Sequence, residues 1–130
     1  MDNGKLLSVP VSAGELIDKI GILEIKVEHF RDAEKLRHVQ QELKLLETVR
    51  GQAIAPSPQL AELTAQLRSV NGELWRIEDE IRLCERRQDF GPSFVELARA
   101  VYRTNDRRSE LKRQINALVG STIVEEKSYA

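Results

Sequence analysis

Eight side chains are spaced so that they could form one polar belt across two helices. Trp75, Glu78, Asp79 and Arg82 belong to one stretch, and Tyr102, Asn105, Asp106 and Arg108 to another. In the first stretch Asn71, Trp75, Glu78, Arg82 and Glu85 recur at steps of three and four, which is one face of an α-helix. In the second, Arg99, Arg103 and Arg107 recur at steps of four, followed by Arg108, Lys112 and Arg113. A row of guanidinium groups holds carboxylates, phosphates or an acidic partner, so the belt suits a small anionic ligand. Glu96, Asp106 and Glu110 are interleaved with the row and no aromatic platform accompanies it, which favours a solvated face and argues against nucleic acid. Trp75 is the sole tryptophan and sits in a charged stripe. It is expected to pack under a neighbouring helix, a second subunit or a ligand.

Other chemistry is poorly supplied. His29 and His38 lack the spacing that sets two ligands on one helical face. Glu15 and Asp18 make half of a helical Mg²⁺ pattern, which Glu78 to Glu80 do not complete. No phosphate loop, nucleophile elbow or Ser/His/Asp set can be assembled, so neither a cofactor nor a catalytic residue is expected. The single cysteine, Cys84, falls on an apolar seam and reads as a quiet, buried thiol. The formal charge of −1 supplies no basic field for nucleic acid or an anionic membrane. No apolar run is long enough to span a bilayer and no signal-peptide core is visible, so the expected compartment is the cytoplasm.

The elements that must position the belt are helices. Leu60, Leu63, Leu67, Val70, Leu74, Ile77, Ile81 and Cys84 form an a/d seam over more than three heptads. The composition, 32% charged with few aromatics, fits an all-α fold and one domain over the 130 residues. Residues 1–11 read as an extended segment, because Pro10 disfavours helix before it. Ser12 and Glu15 form a capping box that opens a first helix from 13 to about 30, in which Gly21 marks a close helix crossing. Asp32 caps a second helix over 33–53, and the short join allows either a tight antiparallel hairpin or a kinked continuous helix, the hairpin over 13–53 being the expectation. Ser57 and Pro58 open a third helix running to about 88 and roughly 45 Å long. A turn at 89–93 leads into a fourth helix from Phe94 to about 119, with Ser93 as its cap, Glu96 closing another capping box, and Gly120 as its stop. The second hairpin, 58–119, is thus the longer and coiled-coil-like. The tail 121–130 is partly β-prone, and 122–127 is expected to pair with 5–11 as a two-stranded clip.

The fourth helix breaks its own seam. Phe94, Leu97 and Val101 begin it, Leu111, Ile115 and Leu118 finish it, and Thr104 and Arg108 stand where apolar residues belong. Either the helix rotates so that Tyr102 and Ala98 pack while the Arg108 stem snorkels along the surface, or Arg108 pairs with a carboxylate in a polar pocket or subunit contact. The first is the expectation, since polar interruptions are common in long bundles.

Three pieces carry a resemblance: ELIDKIGILEIK at 15–26, LWRIEDEIR at 74–82 and FVELARAVYRTNDRR at 94–108, trailed by VEEKSY at 124–129. They are similar to an uncharacterised bacterial family of short helical proteins of unknown function. The resemblance implies a bacterial helical domain and carries no catalytic residue across. It leads to two functional expectations. The first is an interaction or assembly module in which the long hairpin, too long to be covered by the first, binds a second copy as a homodimer or another protein. The alternative is a small all-α enzyme or anionic-ligand binder using the belt.

Overall fold

A computed structural model describes residues 5–121. Four helices carry it: α1 (Ala13–His29), α2 (Ala33–Ala53), α3 (Pro58–Arg87) and α4 (Pro92–Val119). The all-α architecture is as the periodicity requires, and no helix is long and apolar enough to cross a membrane among the described residues.

Local chemistry fixes the boundaries. The Ser12 hydroxyl accepts from the Glu15 N–H at 3.1 Å, the Asp32 carboxylate accepts from Glu34 and Lys35 N–H, and the Ser57 hydroxyl accepts from Leu60 N–H at 3.1 Å. Each satisfies a donor that the first helical turn leaves over. The start of α4 corrects the expected cap. Gly91 is the N-cap, Pro92 opens the helix and no side chain caps it, so Ser93 lies inside. Proline's fixed φ supplies the first turn without needing an N–H partner. Glu96 therefore closes no capping box and reaches along α4 to Arg103 at 3.1 Å. Gln88 (φ 55°) and Gly120 (φ 80°) end α3 and α4 in the left-handed conformation.

The central element is α1, which packs against each of the other three helices, whereas α2 packs against α1 alone and α3 pairs with α4. The α1–α2 connection is therefore a hairpin, as expected. Leu16, Ile17, Ile20, Leu23 and Ile25 of α1 are all buried, covering more of its circumference than a single stripe. Leu16, Ile17 and Ile20 among them meet Leu60, Leu67 and Val70 of α3, and Leu111 and Ile115 of α4, in one cluster. The α3 seam is covered unevenly: Leu60, Leu67 and Val70 are buried with Leu63 half-buried among them, while Leu74, Ile77, Ile81 and Cys84 are all half-buried. Cys84 is therefore not the buried thiol the seam suggested. The reason is length. α1 stops at His29, whose ring stacks on Trp75 with centroids 4.9 Å apart, and α3 continues about 18 Å beyond that level at 1.5 Å per residue. Residues 5–11 are not helical, no strand occurs among the described residues, and the other half of the expected clip lies outside them.

Close approach occurs at the first glycine of α1, not the second. A Cβ on Gly14 would stand 2.5 Å from the Lys112 carbonyl oxygen and 2.9 Å from Asn116 Oδ1, whereas one on Gly21 would meet Arg68 Cδ at an ordinary 3.7 Å. The expected crossing at Gly21 is thus displaced to Gly14, where α1 meets α4.

Candidate functional site

At the heart of the bundle lies a charge network. Asp18 projects from α1 between Ile17 and Ile20 and is fully buried. Its Oδ1 accepts from Arg108 Nε at 2.9 Å and from Asn71 Nδ2 at 2.9 Å, and its Oδ2 accepts from Arg108 Nη2. Arg108 thus holds the carboxylate as a fork, the geometry for which guanidinium is best shaped. Asn105, one turn earlier on α4, accepts from Arg108 Nη1 at 3.4 Å. One turn later, the buried Lys112 donates to Glu15 Oε2 at 2.7 Å and lies 4.0 Å from Asp18 Oδ2. Another turn on, buried Asn116 accepts from Gly14 N–H at 2.7 Å. The acids sit on α1, the bases on α4 and an amide on α3. The network therefore joins the three core helices, and Glu15, engaged with Lys112, does not complete the capping box at Ser12.

This arrangement overturns the expectation that Arg108 lies along the surface. Tyr102 is 54% exposed and Ala98 is also exposed, so neither takes over the packing; Thr104 is buried. The lapse in the α4 seam is the α4 half of a polar contact whose other half is Asp18. Asp18 is not legible as such a partner without knowing that α1 is enclosed on three sides. Its one signal is an acid flanked by isoleucines on a helix apolar around most of its circumference.

The expected belt is split. Asn105 and Arg108 enter the network, together with Asn71 from the α3 stripe. Trp75 is half-buried against His29 and Phe30 at the end of α1. Glu78, Asp79, Arg82 and Tyr102 are exposed, and Asp106 is half-buried. The belt therefore does not converge on one cavity. The fully buried Asp18 carboxylate is engaged by Arg108 and Asn71. What the network does chemically is fix α1 against α4 in one register. No cluster of three or more His, Cys, Asp or Glu side chains suited to a metal ion occurs among the described residues.

The second feature is the far half of the α3–α4 hairpin. Glu73 meets Arg107 at 3.1 Å, which fixes how the two helices stand beside each other. Outward from the level of Trp75 the pair has no α1 against it. Phe90 and Phe94 pack edge to face at 5.3 Å, with Phe90 48% exposed and Val95 52% exposed. Ile81, Leu97 and Val101 are half-buried.

The model of a family of unknown function, DUF6165, matches residues 7–130. The chain belongs to that family. No curated protein and no solved structure matches it. The DUF6165 description names no activity, so the functional reading rests on the two features above.

Proposed function

We propose that this chain is a protein-interaction module that docks through the protruding half of its α3–α4 hairpin. The observation that carries the reading is the uneven cover of one continuous seam. The same heptad pattern that is buried at Leu60, Leu67 and Val70, with Leu63 half-buried among them, has no buried member at Ile77 and Ile81, beyond the end of α1. A heptad seam that runs on past α1, with α4 alone beside it, leaves room for another helix. The buried network supports this by holding the base rigid, so that the tip is presented at a fixed angle. The reading as an enzyme or anionic-ligand binder has less support, since the polar belt it needs is divided between the paired network and solvent.

A photo-reactive amino acid placed at Val95 or Ile81 of the full chain, and at Gln41 on α2 as control, tests the reading in cells. Discrete protein adducts are expected from the tip positions and not from Gln41. A tip that yields none would remove the proposal.

A further inference from the structure

The face of the hairpin tip that α1 leaves bare carries two parallel stripes. On α3, Asn71 bonds to Asp18 and Trp75 stacks on His29, so this stripe faces α1. Its continuation at steps of three, four and three is Glu78, Arg82 and Glu85. On α4, Arg108 faces α1, and the same face continues towards the tip through Val101, Ala98 and Phe94. One stripe is charged with alternating sign and the other is apolar. Glu78, Arg82 and Glu85 are exposed, and among the described residues no hydrogen bond or ion pair occupies their side chains.

We infer that the occupant of this face is a second copy of the chain, laid tip to base across a two-fold axis, with Arg82 of each subunit against Glu85 of the partner subunit. The inference deepens the docking reading above and rests on it. Three constraints select the arrangement. The first is length. The bare stretch of α3 runs from the level of Trp75, where α1 ends, to the turn at Gly91, so a copy filling it has its axis near residue 83. Antiparallel pairing about that point sets Arg82 level with Glu85 of the partner subunit to within one residue. A two-fold contact repeats, so the pair occurs twice. The second is charge. With the tips pointing in opposite directions, α3 lies over α3 and α4 over α4. The charged stripe then meets its own reverse, and Phe94, Ala98 and Val101 meet an apolar stripe. With both tips on one side, α3 lies over α4, and Arg82 and Glu85 are set on apolar side chains with no counter-charge. The third is the stop. In the tip-to-base arrangement each Phe90–Gly91 turn arrives at the partner's aromatic end wall, where Trp75, His29 and Phe30 close the α1 side. Two helix pairs overlapping over about 16 residues, or about 24 Å, make an interface at the low end of the standard range. Such a dimer dissociates on dilution.

Sedimentation of the full chain over a concentration series tests this, using Arg82→Glu and Glu85→Arg separately, mixed and combined in one chain. Both positions are exposed, so the variants are expected to keep the parent circular dichroism and melting curve. Each single variant faces like charges twice across the axis and is expected to weaken self-association by about tenfold or more. An equimolar mixture of the two restores opposite charges at both contacts. It is expected to form a mixed dimer within about threefold of the parent affinity, as is the chain carrying both substitutions. A parent chain that stays monomeric through the high micromolar range overturns the inference. If tip adducts with another protein then form in cells, the docking reading stands without it. A dimer indifferent to both substitutions overturns the arrangement and leaves only self-association.

Discussion

At the scale of single residues, two glycines about two turns apart on α1 carry opposite expectations. At Gly14 a methyl group would collide with the Lys112 carbonyl and Asn116, backbone and buried amide that have little room to move. Gly14→Ala is expected to lower stability by about 2 kcal/mol, which lowers the melting temperature by roughly 8 °C in a chain of this size. At Gly21 the same methyl meets the flexible Arg68 stem at 3.7 Å and Asn71 Nδ2 at 4.0 Å, both ordinary distances. Gly21→Ala is expected to raise stability by about 0.5–1 kcal/mol through helix propensity. Thermal melts of the two variants, at a concentration too low for association, check both signs; a stabilised Gly14→Ala would mean that α1 and α4 are not in contact there. The Asp18–Arg108 pair makes a second test. Arg108→Met strands a fully buried carboxylate beside Asn71, with Lys112 4.0 Å away, and is expected to cost about 3 kcal/mol. Adding Asp18→Leu should recover about half or more of that loss, because an apolar pair strands no carboxylate. Urea unfolding of the parent, each single variant and the double variant gives the coupling directly. Little of this is legible in the sequence. The sequence displays Arg108 as an interruption, but its carboxylate is 90 positions away on a helix whose enclosure only the assembled bundle defines.

At the scale of elements, legibility was high wherever a boundary is written in local chemistry. Asp32, Ser57 and Pro58 mark their helices because a side-chain oxygen or a missing N–H acts within one turn. Ser93 is not a cap for the same kind of reason: Pro92 already supplies the first turn, so the cap lies at Gly91. What periodicity does not convey is how many neighbours a helix has. The α2 stripe, Leu36, Val39, Leu43, Leu46 and Val49, is as regular as that of α3, yet Val39 is its one fully buried member and Val49 is 42% exposed. With only α1 to pack against, α2 should be the first helix to open. Hydrogen exchange followed by mass spectrometry is expected to show α2 amides exchanging through a lower-energy opening than those of α1 and the base of α3. Equal protection in α1 and α2 would show that the four helices unfold as one unit.

At the scale of the whole molecule, the base and the tip are separable by design of the contacts. The base is three helices around Leu16, Ile20, Leu67 and Ile115, fastened by the Asp18 network. The tip is a two-helix extension whose seam continues without a third helix. If this division is physical, the tip can be shortened without harming the base. Glu73 stands beside Arg107, and the same register sets residues 78–84 of α3 opposite 96–102 of α4. Removing both segments takes seven residues from each helix, which returns the apolar stripes to within about 20° of their original phase and leaves Trp75, Asn105 and Arg108 in place. The shortened chain is expected to remain helical and to melt cooperatively, within about 5 °C of the dilute parent. It should have lost self-association and the tip adducts altogether. A shortened chain that fails to fold would assign the outer seam to the core of the monomer. That outcome would take with it the reason for regarding the half-covered heptads as a place where another molecule binds.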